Sequence, residues 1–212
     1  LEIEEKLKLD RGYLIVFEGI DGAGKSTHCR LLADYLTARG FPVLKLFEPT
    51  KGLWGMKIRK LLTEGRGDVG PEEELNWFLK DRKEDVEKNI RPALDQKKIV
   101  ILDRYYYSTA AYQGALGLDP KRICRENEAF APKPDRVFLF TVSPEHCLRR
   151  IENSRSQKSS FEKLDYLQKV QEIFDSFSDS IIRRIDTAPP VDEVHAKLRV
   201  EVEGLLSLKG EE

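Results

Sequence analysis

A three-layer α/β fold, with a central parallel sheet of about five strands and helices on both faces, is what this sequence predicts. Three observations carry the prediction. Apolar, β-branched runs alternate along the chain with helical periods, the pattern of a sheet buried on both sides. A glycine-rich turn, Gly19-Ile-Asp-Gly-Ala-Gly-Lys-Ser26, lies between the first such run and the first helical stretch. A length of 212 residues suits one domain with a sizeable core.

The elements follow in order. Strand-like runs lie at Tyr13–Glu18, Pro42–Phe47, Lys98–Asp103, Asp135–Val142 and Ile181–Asp186, with helical patterns between them, beginning with Thr27 to Arg39. Pro71 to Leu94 is a long helical stretch whose apolar positions, Leu75, Phe78, Leu79, Val86, Ile90 and Ala93, form one stripe. Val191–Leu208 reads as the closing helix. Residues 152–160 are the most loop-like internal stretch, and residues 1–10 read as an N-terminal extension to a domain spanning 11–208.

Bulk properties exclude several function classes. A net charge of −1 provides no global basic field for nucleic acid or an anionic membrane. The longest apolar runs are strand-sized, so none spans a bilayer. Residues 1–10 are too charged for a secretory signal. Cys29, Cys124 and Cys147 have no metal-like spacing and read as reduced thiols of a cytoplasmic protein. Charged residues make up 34% of the chain, above the usual ~25%, which leans toward a heat-adapted source.

The chemistry starts at the glycine-rich turn, which matches G-x-x-x-x-G-K-[ST] in a strand–loop–helix setting. It is the phosphate-binding loop of a P-loop NTPase fold, and a nucleoside triphosphate is its expected ligand. Backbone N–H groups of Gly19, Ile20, Asp21, Gly22, Ala23 and Gly24 converge on phosphate oxygens, and the helix opening at Lys25, Ser26 and Thr27 adds its positive end. Lys25 is expected to reach the β- and γ-phosphates and Ser26 to ligate Mg²⁺.

In open parallel sheets, ligands sit beyond the carboxyl ends of the strands, which singles out the residues just after each run. Asp103 is placed to hold Mg²⁺ through water; the bland alternative makes it a helix N-cap. Tyr105, Ser108, Thr109, Tyr112 and Gln113 recur at helical spacing, a face suited to reading a nucleobase and sugar. Arg82 interrupts the apolar stripe of 71–94, where a guanidinium needs an anion or acceptor, and Phe78 is its neighbour one turn earlier. The bland alternative is a snorkelling Arg82 paired with Asp85.

These segments together resemble the thymidylate (dTMP) kinase family of P-loop nucleoside-monophosphate kinases, from about Gly12 to Leu206. The phosphate loop Phe17-Glu-Gly-Ile-Asp-Gly-Ala-Gly-Lys-Ser-Thr27 carries the likeness, as do Phe47-Glu-Pro-Thr50 with Lys57-Ile-Arg-Lys-Leu-Leu62, Phe78-Leu-Lys-Asp-Arg82, and Asp103-Arg-Tyr105 with Ser108-Thr109 and Ala111-Tyr-Gln-Gly114. The resemblance implies ATP and dTMP as substrates, Mg²⁺ as cofactor, and a homodimer. It places Phe78 on thymine, with Arg82, Thr109 and Gln113 on the base edge. Tyr112 faces the sugar, and Ser108 shares that helical face. Asp21 is placed near the 3′-hydroxyl, Arg59 and Arg104 on the monophosphate, and Glu48 near Mg²⁺ and the acceptor.

By the same resemblance, residues 149–160 form a short mobile lid. Arg150 lies against adenine there, and Arg155 contacts the transferring group; a solvated basic loop is the bland alternative. Asp186-Thr187-Ala188 borders the adenine or is a plain strand-to-helix turn. Two departures stand out: many bacterial relatives have Arg where this chain has Phe47, and Gly-Gly where it has Thr50-Lys51.

The acceptor phosphate is already ionised, so the task is charge neutralisation between two anions, with Lys25, Arg104, Asp21 and Arg155 the expected catalytic set. Two other readings fit the phosphate loop. One is a kinase of the same fold acting on a nucleoside or another monophosphate. The other is an ATP-dependent switch, which would need no monophosphate pocket.

Overall fold

The computed structural model describes residues 9–147 and 160–206, with residues 160–163 described by backbone alone. Its centre is a five-stranded, all-parallel sheet: β1 (Tyr13–Glu18), β2 (Val43–Phe47), β3 (Ile99–Asp103), β4 (Arg136–Thr141) and β5 (Ile182–Asp186), in the order β2-β3-β1-β4-β5. Each strand lies within the run the sequence predicts, trimmed by at most one residue at either end. The inner strands β1, β3 and β4 are almost wholly buried, hence their unbroken apolar character. The edge strands β2 and β5 are half-exposed and admit Lys45, Arg183 and Arg184.

Helix α1 (Lys25–Ala38) leaves the phosphate loop and packs on β1, β2 and β3. The closing helix α8 (Val191–Leu205) lies beside it, clasped by Arg39 to Glu203 at 2.9 Å. The chain then runs back across the sheet, and right-handed crossovers put the connections that follow β2 and β3 on the other face. These hold α2 (Leu53–Glu64), α3 (Pro71–Asp85), α4 (Arg91–Asp95), α5 (Tyr106–Gly114) and α6 (Pro120–Glu128). Helix α7 (Ser160–Ser176) packs against α5.

The predicted helix over 71–94 is present with one modification. A π-helical turn at Val86–Ile90 joins α3 to α4, and Arg91 N–H bonds Val86 O five residues back. Pro92 follows, where a missing donor and a bulky ring disrupt an ordinary α ladder, and the widened turn absorbs both. The last helix stops at Leu205, and α1 starts two residues earlier than its apolar period suggests, because Lys25 and Ser26 belong to its first turn.

Register decides where chemistry can occur. Phe17 is level with Asp103, and Asp103 with Phe47, so the loops after β1, β3 and β2 emerge side by side. Behind them Phe17 packs on Phe138 and Phe140 with ring centroids 5.4 and 5.5 Å apart. Phe138 is fully buried, so Phe138→Ala is expected to cost about 3–5 kcal/mol in urea unfolding. A loss below ~1 kcal/mol would contradict this tight packing.

Candidate active site

The phosphate loop is anchored from below and open above. Ile20 and Ala23 are fully buried, while Asp21, Ser26 and Thr27 reach the surface. Gly22 has φ 82°, and a Cβ there would sit 2.7 Å from the Cys147 carbonyl, so only glycine fits. Gly24 caps α1 without a side-chain hydrogen bond, which leaves the first N–H groups directed at the loop. The Lys25 ammonium is buried and donates to the Gly19 and Ile20 carbonyls at 2.9 and 2.8 Å. Ser26 Oγ meets the Asp103 carboxylate. Helix α5 is preceded by Tyr105 as its N-cap, so Asp103 is not the cap.

Arg104 follows β3 with φ 72°, an uncommon conformation that turns its side chain toward the phosphate loop. It donates to Ser108 Oγ at 2.9 Å, to the Gly19 carbonyl at 3.3 Å and to the Asp21 carboxylate. Tyr112 closes this group: its hydroxyl accepts the Asp21 N–H and donates to the Asp21 carboxylate, each at 3.0 Å. Glu18, fully buried, accepts from the Ser108 hydroxyl and from the N–H groups of Tyr105 and Ser108, which fixes the first turn of α5. Tyr105 itself precedes the helix, and its ring belongs to the core, so it departs from the polar face expected of it.

The loop after β2 supplies the opposite wall. Asp81 accepts from Thr50 N–H at 2.8 Å and from Thr50 Oγ at 2.6 Å. Arg59, on α2, donates to the Pro49 and Thr50 carbonyls. Gly55 lets α2 approach so closely that a Cβ would lie 2.2 Å from the Thr50 carbonyl. Phe47 is 39% exposed, with Arg59 and Lys51 over its ring at 5.2 and 5.9 Å. Lys25, Ser26, Glu48, Arg59, Asp103 and Arg104 thus share one cavity of about 640 Å³.

Other predicted residues lie in the interior beside it. Arg82 is 1% exposed and neither snorkels nor pairs with Asp85. Its Nε and Nη2 go to the Glu48 carboxylate, Nη1 to Asn127 Oδ1 and Nη2 also to Thr109 Oγ1. Asp85 instead accepts from Asn89 at 2.7 Å. Burial lifts the Glu48 carboxyl to about 8 against the pull of Arg82. Phe78 packs beside Ile58, Leu61 and Trp77, and Gln113 donates to buried Glu74. Arg150 and Arg155 lie outside the described residues. Asp186 accepts the Ala188 N–H at 2.9 Å, a local turn at the end of β5.

Glu18, Asp81, Asn127 and Glu74 were not visible as site-forming residues in the sequence. A single carboxylate or amide on a helix reads as a solvent face, and only Glu18, directly before Gly19, had a positional clue. For a metal, Ser26 and Asp103 offer hard oxygen ligands side by side. Among the described residues no cluster of three or more His, Cys, Asp or Glu could hold a metal ion.

A family model, thymidylate kinase, matches residues 17–198. The chain is 48% identical over 198 residues to a thymidylate kinase of Desulfotalea psychrophila, covering 93% of this chain and 97% of that one. It is 44% identical over 196 residues to a probable thymidylate kinase of Archaeoglobus fulgidus, covering 92% and 97%. A thymidylate kinase of Akkermansia muciniphila shows 45% identity over 189 residues, covering 89% and 90%.

This chain belongs to the thymidylate kinase family.

As in any P-loop kinase, the site must keep its cations charged in a buried setting. Burial drives the Lys25 ammonium from the ordinary 10.5 down to about 8, helped by Arg104 and opposed by Asp21, Asp103 and Glu18. Arg104 goes the other way: burial works against its charge, but Asp21 and its neighbours raise its value. Asp21 falls to about 2; burial opposes the shift, and Arg104 and Lys25 outweigh it.

The Lys25 shift has a stability consequence with a definite sign. Between about 8 and 10.5 the unfolded chain binds more protons at this position, so folded stability gains as pH climbs through that window. Lys25→Met removes the titration. The Tm of the parent chain, relative to this variant, should therefore rise from pH 8 to 10.5, and a constant difference would contradict a buried ammonium.

Proposed function

We propose that this protein transfers the γ-phosphate of ATP to dTMP, giving dTDP and ADP. The observation that carries the reading is the convergence, in one cavity, of the phosphate-loop Lys25 with the two guanidinium groups Arg59 and Arg104. Two nucleotide anions must meet end to end, and these cations stand where both would need neutralising. A neutral sugar acceptor would call for a base instead. Membership of the thymidylate kinase family supports the choice of acceptor.

The second ionisation of a phosphate monoester lies near 6, so the attacking oxygen needs no deprotonation at neutral pH. Catalysis is positioning and charge stabilisation. The amides of Gly19 to Gly24 and the N-terminus of α1 cradle the donor phosphates, with Ser26 and Thr27 at the helix start. Lys25 exchanges its carbonyl partners for β- and γ-oxygens. Ser26, and Asp103 through water, would hold Mg²⁺, which withdraws charge from the transferring group. Arg104 and Arg59 grip the acceptor phosphate, with Arg104 aimed by Asp21 and Ser108.

Phe78 stacks on the base while Arg82, Thr109 and Gln113 read its edge, and Tyr112 lies at the deoxyribose. Glu48 orients Arg82 near the acceptor. Arg150 and Arg155, in a lid at about 149–160, serve adenine and the transferring phosphoryl. The domain spans 11–208, with 1–10 an extension. Leu53, Met56 and Leu62 expose apolar surface on α2, which supports a homodimer. Among the described residues no helix is long and apolar enough to cross a membrane. A cytoplasmic setting accords with a chain whose three cysteines have no metal-like or paired spacing.

ADP release should follow addition of dTMP to enzyme, ATP and Mg²⁺, and dTMP should be preferred to thymidine. No transfer to dTMP, or faster turnover of thymidine, would overturn the assignment. Lys25→Ala should lower kcat by at least ~10²–10³-fold with unchanged circular dichroism; retained turnover would contradict the phosphate-loop role.

A further inference from the structure

Glu74 sits in the first turn of α3, 1% exposed, and its carboxylate has two partners from different elements. Arg66, in the α2–α3 loop, donates through Nε at 2.7 Å and Nη2 at 3.4 Å. Gln113, on α5, donates through Nε2 at 2.8 Å. A carboxylate paired with a guanidinium offers acceptors only, so it can receive only the NH₂ end of the amide. Gln113, also 1% exposed, is thereby left with Oε1 turned elsewhere, buried and without a protein partner. An orphaned buried acceptor is costly unless something supplies a donor.

The same α3–α5 seam has a second bridge. Arg82, two turns beyond Glu74 on α3, donates to Thr109, one turn before Gln113 on α5. Of the five N–H groups of a guanidinium, four of Arg82's are taken by Glu48, Asn127 and Thr109. One donor from Arg82 and one acceptor from Gln113 therefore remain along one seam. Thymine presents the complement: an O4 acceptor next to an N3–H donor. Cytosine reverses both, with an amino donor at C4 and a bare N3 acceptor.

We propose that Glu74, held by Arg66, fixes the amide polarity of Gln113 and so makes the acceptor site select an imide pyrimidine monophosphate, dTMP or dUMP, over the amino pyrimidine dCMP. The inference rests on the reading of Arg82 and Gln113 as base-contacting residues. Glu74 is a positioning residue that touches no substrate. A freely rotating amide could turn its NH₂ toward cytosine N3, whereas this one cannot without facing a carboxylate with its own oxygen.

The test is the ratio of kcat/KM for dTMP to that for dCMP. A site built around paired donors and acceptors rejects the mismatched analogue by about 10⁴-fold, and the parent enzyme should show a ratio of that order. Glu74→Gln replaces an acceptor-only group by one that also donates, frees Gln113 to invert, and should lower the ratio by about tenfold or more. Glu74→Asp keeps acceptor-only chemistry and should retain most of the discrimination. If Glu74→Gln does not fold, Gln113→Leu removes the oriented acceptor itself and should lower the ratio similarly. Equal losses on dTMP and dCMP, leaving the ratio unchanged, would make Glu74 a plain structural bridge and overturn the proposal. Failure of the parent enzyme to use dTMP at all would instead defeat the assignment of function.

Discussion

Phe17, Asp103 and Phe47 lie level with one another where their strands finish, within one residue of each end, and nearly everything at the site is a consequence of that alignment. Parallel pairing gives three neighbouring strands the same polarity, so three loops must leave the sheet at one edge. The loop after β1 has the glycine-rich form, opening onto a helix N-terminus, that suits an anion. The loops after β3 and β2 then have no choice but to face it, and they bring Arg104 and the segment gripped by Arg59. A one-residue slip of β3 against β1 would turn each of its side chains to the opposite face of the sheet and remove Asp103 from Ser26.

Holding so many charges near one another requires an interior that answers each of them. Arg82 has Glu48, Arg104 has Asp21, Glu74 has Arg66, and Glu18 has three hydrogen-bond donors at the start of α5. A pair buried on both sides, as Arg82 and Glu48 are, adds little stability beyond what apolar packing would give, yet removing one partner leaves a charge stranded. Their contribution is orientation. Each fixes the direction of a side chain at or beside the cavity, and each joins elements distant in sequence.

The fold was legible because its strands are buried on both faces and therefore appear as apolar runs, while the helices between them keep a 3.6-residue period. The phosphate loop was legible because glycine, lysine and serine at fixed spacing have few other uses. Arg82 was noticed because a guanidinium on an apolar stripe demands an explanation, although its partner proved to be Glu48 rather than Asp85. The supporting residues were hidden for a physical reason. Asp81, Glu74 and Asn127 lie on helices where acidic and amide side chains are ordinary, and their burial depends on contacts 31 to 45 positions away. The π turn was likewise hidden, since Pro92 announces a disturbance but not the form it takes.

The close approach of Gly22 to Cys147 limits how this site can change. The two backbones touch, so any side chain introduced at position 22 must displace the start of the segment that follows β4. Engineering a positive group into the phosphate loop would therefore demand a coordinated rebuilding of both stretches. The barrier is steric, so a cation serving this part of the cavity has to come from another stretch of the chain.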